Sequence, residues 1–138
     1  MTRWAYWPRR TNGSGRKYGN RKVNTEDGTF DSVKEARRNA ELKLLEAAGE
    51  ITDLRRQVRF ELIPAQREPD TVGPRGGVKK GRIIEQAVYY VADYVYKDAD
   101  GIEIVEDVKG YRDGAAYKIF SIKRKLLLYR YGIKIKEV

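Results

Sequence analysis

Two β-prone runs joined by one tight turn restrict the fold of this chain more than any other feature of its sequence. The first run, residues 84–97, is rich in Val and Tyr, and the second, residues 102–109, is rich in Ile and Val. Asp100-Gly101 stands between them, and Asp-Gly between two such runs predicts a β-hairpin. Both runs also carry charged residues, which are unfavourable inside apolar strands unless they are paired or bind a metal ion.

The charged residues of interest in this hairpin are Asp93, Asp107 and Lys109. Asp107 and Lys109 are two residues apart, so they share one face of their strand. A three-residue turn over 99–101, with Gly101 in the left-handed conformation, would place Asp93 directly opposite Asp107 on the same face. A two-residue or four-residue turn would shift the pairing by one residue and turn Asp93 to the other face.

Two carboxylates that lie opposite each other repel unless a cation neutralises them. A divalent cation would also polarise a phosphoryl oxygen and lower the pKa of a bound water molecule. Lys109 would then orient the attacking water or stabilise the developing negative charge. The alternative interpretation is that Asp93, Asp107 and Lys109 form a structural ion pair at the end of a strand.

The composition restricts the kind of site further. The chain has no Cys and no His, which excludes zinc fingers, zinc hydrolases, Cys proteases and Ser-His-Asp hydrolases. Any catalytic metal must bind to carboxylates, which favours Mg²⁺ or Mn²⁺. The 29 Lys and Arg against 20 Asp and Glu give a net charge of +9, which favours binding to nucleic acid. No apolar run approaches the roughly 20 residues of a membrane helix, so no membrane partner is expected.

The segments around the hairpin predict one domain, residues 21–138, of the α/β (α+β) class. β-Prone segments at 51–63 and 133–138 are expected to join the hairpin in a mixed central β-sheet flanked by helices. A further hairpin is predicted around Asp27-Gly28.

Two helices are predicted, and each has recognisable ends. Ser32 and Glu35 form a capping box at the start of the first helix, and Gly49 ends it. The second is a basic amphipathic helix over 117–131, stopped by Gly132. The predicted apolar stripes are Val33, Ala36, Ala40, Leu44 and Ala47 in the first helix, and Ala116, Ile119, Phe120 and Leu127 in the second.

Two segments outside these elements are basic and rich in Gly. Residues 1–20 interleave Arg and Lys with Trp and Tyr, which predicts a flexible N-terminal arm that follows phosphates and stacks on bases. Residues 65–82 combine Pro and Gly with Lys and Arg, which predicts a long basic loop.

The order of Asp93 on one strand and Asp107-Val108-Lys109 on the next resembles the PD-(D/E)XK (restriction-endonuclease-like) nuclease superfamily. The Pro that usually precedes the first acid is replaced by Ala92. Residues 30–36, Gln57, and 106–110 followed by 123–126 resemble a small phage- and prophage-encoded family of endonuclease-like proteins in that superfamily.

The resemblance implies a restriction-endonuclease-like core and a DNA endonuclease that needs Mg²⁺ (or Mn²⁺) to hydrolyse phosphodiester bonds. Its expected substrate is branched, recombination or replication DNA of a phage, and one form of it would be Holliday-junction resolution by a homodimer. The expected location is the cytosol of the bacterial host.

The resemblance also assigns roles to residues. The expected metal ligands are Asp93, Asp107 and Glu35, and the expected catalytic residues are these three and Lys109. The alternative role for Glu35 is that of a helix cap only. Glu106 is expected to project away from Asp107, or to be the ligand itself if the strand is bulged. The expected DNA contacts are Arg16, Lys17, Arg37, Arg38, Lys79, Lys80, Arg82 and Lys123.

Two functions without catalysis stay open on the sequence alone. One is a basic DNA-binding protein that retains the nuclease fold. The other is a phage assembly or regulatory protein whose basic charge serves solubility or an acidic partner.

Overall fold

A mixed four-stranded sheet with one helix on each face forms the centre of the protein. The computed structural model describes residues 21–110 and 112–138, so the predicted arm at 1–20 lies outside the described residues. The elements in chain order are β1 (Val23–Thr25), β2 (Gly28–Phe30), α1 (Val33–Ala47), β3 (Thr52–Ile63), β4 (Gln66–Arg67), β5 (Thr71–Val72), β6 (Val78–Lys79), β7 (Ile83–Glu85), β8 (Val88–Lys97), β9 (Glu103–Asp107), α2 (Gly114–Tyr131) and β10 (Lys136–Glu137).

The sheet has the strand order β10-β9-β8-β3. β8 pairs antiparallel with both β3 and β9, whereas β10 pairs parallel with β9. This confirms the predicted α/β class with a mixed central sheet. Neither helix of the described chain is long and apolar enough to cross a membrane.

The turn between β8 and β9 has the three residues that the sequence predicted. Gly101 has a φ of 76°, and the Asp98 N–H donates to the Ile102 carbonyl at 2.9 Å. The Asp98 carboxylate also accepts the backbone N–H groups of Asp100 and Ile102 at 2.9 Å. The turn therefore fixes a register that runs from Lys97–Glu103 to Tyr94–Glu106.

Two apolar clusters lie on opposite sides of this sheet. The cluster on the α2 side consists of Leu62, Tyr90, Ala92, Val95, Val105, Phe120, Leu127 and Ile135. The smaller cluster on the α1 side consists of Leu42, Ile51, Tyr94 and Tyr96. Most of the apolar burial therefore holds α2 against the sheet, and α1 depends more on polar contacts.

The capping of α1 is as predicted, but its buried face is not. The Ser32 hydroxyl accepts the Glu35 N–H at 3.1 Å, and Gly49, with a φ of 77°, follows the last turn. The predicted stripe is wrong, because Val33 is 48% exposed and Leu44 is 72% exposed. The face towards the sheet instead carries Glu35, Asn39 and Leu42.

Helix α2 begins at Gly114, earlier than the predicted 117, because the Asp113 carboxylate accepts the Gly114 N–H at 2.7 Å and caps the helix. It ends as predicted at Gly132, which has a φ of 67°. Of the predicted stripe, Phe120 and Leu127 are buried, whereas Ala116 and Ile119 are exposed. The half-buried Tyr117, Arg124 and Leu126 complete the inner face.

The segment predicted as a long loop at 65–82 is a β-ribbon. β4 pairs with β7, and β5 pairs with β6; we call residues 66–85 the ribbon arm. A turn over 73–77 closes its tip, with the Gly73 N–H donating to the Gly77 carbonyl at 2.8 Å. Each strand of the tip has only two residues, which is too short to show an alternating pattern in the sequence.

A close backbone approach at Gly81 holds the ribbon arm together near its base. The Glu68 N–H donates to the Arg82 carbonyl at 2.9 Å, and the Gly81 N–H donates to the Asp70 carboxylate at 2.9 Å. A Cβ atom at residue 81 would lie 1.8 Å from the Glu68 carbonyl oxygen. Only glycine fits there without displacing the backbone.

We therefore expect Gly81→Ala to break the pairing of the ribbon arm while leaving the sheet intact, because the arm strands contact no other element of the described chain. Hydrogen exchange should show loss of protection at the Glu68 amide and unchanged protection at Val95. Gly77→Ala is the matched control, since a Cβ there meets no atom within 4 Å. Wild-type exchange at Glu68 in Gly81→Ala would contradict this account.

Candidate functional site

The pairing of β8 with β9 ends one residue before the predicted pair of Asp93 and Asp107. The last backbone pair is Tyr94–Glu106, and beyond it the Asp93 Oδ2 atom accepts the Val108 N–H at 2.8 Å. A side-chain carboxylate thus takes the place of a strand carbonyl as the partner of this N–H group. The two strands separate there, and Asp93 lies at the opening.

An irregularity in the neighbouring backbone directs Asp93 to this position. Ala92 packs on the α2 side, whereas Tyr94, two residues later, packs on the α1 side. Regular alternation would put both on one face. On β3, the residue facing Asp93 is Gln57, which has a φ of 52°, and its side-chain amide donates to Asp93 at 3.4 Å.

The Asp107 side chain is held from two directions. Its Oδ1 atom lies 2.7 Å from the Lys109 ammonium, and its Oδ2 atom accepts the Tyr90 hydroxyl at 2.7 Å. The Lys109 ammonium also lies 3.4 Å from the centre of the Phe120 ring, an attractive cation–π geometry. Asp107 and Lys109 therefore lie on the α2 side of β9, as the two-residue spacing predicted.

Glu35 approaches from the first turn of α1. It is buried, and its Oε2 atom accepts the Asp31 N–H at 3.3 Å. Its backbone carbonyl accepts the Tyr94 hydroxyl at 3.2 Å, which ties this turn to β8. The capping-box prediction is therefore correct for Ser32, but the Glu35 side chain bonds one residue further back than a capping box requires.

All four predicted catalytic residues line one open cleft. Its volume is about 580 Å³. The lining residues are Arg21, Asp31, Ser32, Val33, Lys34, Glu35, Val91, Asp93, Asp107, Val108, Lys109 and Gly110. The structure thus brings together Glu35, Asp93, Asp107 and Lys109, which are separated by up to 74 positions in the sequence.

The carboxylates of the cleft disfavour one another's charged forms. Burial, together with the Asp107 and Glu35 charges, raises the pKa of Asp93 to about 6, and the Val108 N–H and Lys109 oppose this rise. Burial also raises the pKa of Glu35, and the charges of Asp31 and then Asp107 add to this effect. The cleft is therefore a place where a cation would relieve repulsion.

The acidic side chains of the cleft would bind a metal ion through oxygen atoms, which suits a hard divalent cation such as Mg²⁺ or Mn²⁺. Within residues 21–110 and 112–138, however, no three acidic side chains are close enough together to enclose an ion as they stand. Mg²⁺ commonly binds through one or two carboxylates and keeps several water molecules. Asp93 on β8 and Asp107 at the end of β9 fit that mode, with Glu35 as a further acid of the cleft.

Glu106 projects to the opposite side of β9, as predicted. It is fully buried and accepts two hydrogen bonds from Arg38, at 2.5 and 2.9 Å, and one from Tyr96, at 2.8 Å. The remaining Arg38 nitrogen bonds to Glu41 at 2.8 Å. The prediction that Arg38 contacts DNA is therefore not supported, because its guanidinium is already engaged in holding α1 to the sheet.

The other predicted DNA contacts lie outside the cleft. Arg37 is exposed on α1, Lys123 is half-buried on α2, and Lys79 and Lys80 are exposed on the ribbon arm. Arg82 pairs with Glu68 at 3.3 Å at the base of that arm. The predicted contacts Arg16 and Lys17 lie outside the described residues.

Two residues of the site were not predicted from the sequence. Tyr90 orients Asp107, but nothing in the sequence separates it from the other tyrosines of β8, since all of them suit a strand. Lys34 donates to the carbonyls of Lys109 at 2.5 Å and Val138 at 2.9 Å, and so joins α1 to the strand ends. The only feature of the sequence that pointed to Lys34 was its position next to Glu35.

The raised pKa of Asp93 predicts how the stability of the metal-free protein depends on pH. Because the folded pKa of Asp93, about 6, exceeds the ordinary value of 3.8, the folded protein holds this proton more strongly and loses stability as pH rises from about 4 to about 6. Asp93→Asn cannot ionise, so we expect it to escape this loss, on the order of 2 kcal/mol. Urea unfolding in EDTA at pH 4.5 and 7.5 measures the difference, and a constant gap between variant and wild type would contradict it.

Comparison with known proteins identifies one family. The family described as "Protein of unknown function (DUF1064)" matches residues 15–137. This range includes the whole cleft, both helices and the ribbon arm. No protein of curated function and no solved structure matches the chain. The chain therefore belongs to the family of proteins of unknown function DUF1064.

Proposed function

We propose that this protein is a metal-dependent DNA endonuclease of the PD-(D/E)XK type, with its active site in the cleft between the start of α1, the middle of β8 and the end of β9. The observation that carries the proposal is the gathering of Glu35, Asp93, Asp107 and Lys109 in that one cleft. The same four residues stand at the positions by which the sequence resembles the PD-(D/E)XK superfamily.

A purely structural ion pair does not account for this arrangement. Lys109 already neutralises Asp107 at 2.7 Å. Asp93 and Glu35 are additional acids, and no cation among residues 21–110 and 112–138 lies as close to either of them. Arg56 approaches Glu35 only to 3.9 Å. Burying surplus carboxylates beside one another is unfavourable, and such clusters of perturbed pKa are typical of functional sites.

In this proposal Asp93, Asp107 and Glu35 would hold Mg²⁺ or Mn²⁺ through their carboxylate oxygens. When bound, the ion would polarise the phosphate and favour ionisation of a water molecule. Tyr90 fixes the Asp107 carboxylate by its hydrogen bond of 2.7 Å. Lys109 carries three N–H donors and would donate to the attacking water or to a phosphate oxygen as negative charge develops.

The net charge of +9 supports DNA as the substrate. The accessible cations outside the cleft, Arg37, Lys123, Lys79 and Lys80, provide phosphate contacts. The sequence resemblance, rather than the geometry of the cleft, supports a more specific substrate: branched, recombination or replication DNA of a phage. This substrate class includes Holliday junctions, cut by a homodimer in the bacterial cytosol.

One observation favours a second function. Because no three acids of the described residues form a closed group, the same fold would also suit a DNA-binding protein without catalysis. Such a protein would bind duplex and junction DNA but leave both uncut in Mg²⁺ and in Mn²⁺.

A cleavage assay distinguishes the two functions. We expect wild type to cut supercoiled plasmid or four-way-junction DNA in Mg²⁺ and not in EDTA, and Asp107→Asn to lose about 100-fold or more in rate. Glu50→Gln is the matched control, because Glu50 is exposed and does not line the cleft. Gel electrophoresis of the products measures the rates.

The result that would contradict catalysis is intact DNA in both metals, with binding retained. Equal cutting by Asp107→Asn and wild type would instead show that the nuclease site lies elsewhere. Calorimetric titration of Mg²⁺ into DNA-free protein gives an independent readout, in which Asp93→Asn and Asp107→Asn should bind the ion more weakly than Glu50→Gln.

A further inference from the structure

The tip of the ribbon arm carries positive charge that the described protein does not neutralise. Residues 71–80 contain Arg75, Lys79 and Lys80 and no acidic residue. None of these three takes part in any ion pair formed within residues 21–110 and 112–138. The two acids nearest the tip have other partners: Asp70 accepts the Gly81 N–H at 2.9 Å, and Glu68 pairs with Arg82 at 3.3 Å.

The tip also exposes apolar side chains that no core covers. Val72 and Val78 are direct cross-strand partners, and each is 72% exposed. The four arm strands contact only their own partners among the described elements. A two-stranded ribbon of this size has no hydrophobic core of its own, so the valines have no evident role in folding.

We propose that the ribbon arm docks in the major groove of duplex B-form DNA. This rests on the proposed function as a DNA enzyme, and it adds the place where the chain recognises a duplex. The major groove, about 12 Å wide, admits a two-stranded β-ribbon as it stands, whereas the minor groove, about 6 Å wide, must be widened at a cost in deformation energy. Duplex RNA is excluded because its major groove is deep and narrow.

The two faces of the tip carry complementary kinds of contact. Thr71 pairs with Lys79 and Val72 pairs with Val78, so polar and apolar pairs point to opposite faces. With the valine face against the base edges, Val72 and Val78 suit thymine methyl groups. Lys79, on the opposite face, is then available to the phosphates beside the groove. Arg75 in the turn and Lys80 provide phosphate contacts.

A second copy of the chain suits this surface less well than DNA does. Association of two tips through their valines would bring two sets of three uncompensated cations together, and like charges that face each other across strands are destabilising. Phosphates neutralise the same cations and release counterions.

The test measures binding in EDTA, so that it does not depend on cleavage. Fluorescence anisotropy of a labelled 30-base-pair duplex is followed over a series of KCl concentrations with the full chain. In Arg75→Gln/Lys79→Gln/Lys80→Gln we expect the slope of log K against log salt to fall by about 2 to 3, since each phosphate contact contributes about 0.9. The affinity at 0.1 M salt should fall about tenfold or more.

Two comparisons distinguish binding that depends on the structure of the ribbon arm from binding that depends on positive charge alone. Lys97→Gln/Lys118→Gln/Lys134→Gln removes the same charge from exposed positions outside the arm, and we expect it to change the affinity by less than about threefold. Gly81→Ala keeps every charge but displaces the arm backbone, and it should weaken duplex binding as the tip variant does. The corresponding single strand should be bound equally by wild type and Gly81→Ala.

Several results would overturn the arm proposal. Equal affinities of the tip variant and its charge-matched control, or an equal loss on single-stranded DNA, would reject groove docking. Loss of a dimer in sedimentation of Val72→Ser/Val78→Ser, with duplex affinity unchanged, would identify the arm as a protein interface. A wild type that binds through the arm but cuts nothing would reject the nuclease proposal alone.

Discussion

The pairing register of β8 and β9 is the constraint on which both the sheet and the cleft depend. Because side chains alternate along a strand, a slip of one residue would exchange the faces of Glu106 and Asp107. Glu106 would then lose Arg38 and Tyr96, and Asp107 would lose Tyr90. The register is fixed by the turn, where the Asp98 carboxylate accepts two backbone N–H groups. A local turn thus decides which carboxylate serves structure and which lines the cleft.

The buried contact between Arg38 and Glu106 explains how a helix with few inward apolar residues stays in place. Removing one partner of such a pair leaves an uncompensated buried charge, at a typical cost of about 3–5 kcal/mol. Since the helix is held by this pair and by the bond from Tyr94 to the Glu35 carbonyl, its first turn is fixed over the strand ends. The Glu35 carboxylate is brought to the cleft as a consequence, while Val33 and Leu44 face outward.

Local features of the sequence predicted the correct parts of this structure. These parts depend on neighbours in the chain: the turn before Ile102, the cap at Ser32 and the two-residue spacing of Asp107 and Lys109. They were enough to group Asp93, Asp107 and Lys109, whereas Glu35 was added to them only by the resemblance to the nuclease superfamily. The buried face of α1 was predicted wrongly because it depends on Arg38 meeting Glu106, 68 residues away. The ribbon arm was missed because its strands are too short to show a period. Catalysis itself stays a prediction.

The distribution of charge connects the proposed chemistry with the proposed binding surface. The protein carries a net charge of +9, yet its cleft gathers acids whose mutual repulsion contributes to raising the pKa of Asp93 to about 6. A polyanion is attracted to such a protein as a whole but repelled from the cleft until a cation neutralises the acids there. Under the proposed function, DNA binding by the arm and the helices therefore does not require the metal, whereas entry of a phosphate into the cleft does. If both proposals hold, that separation gives the acids a purpose which a protein that only binds DNA would lack.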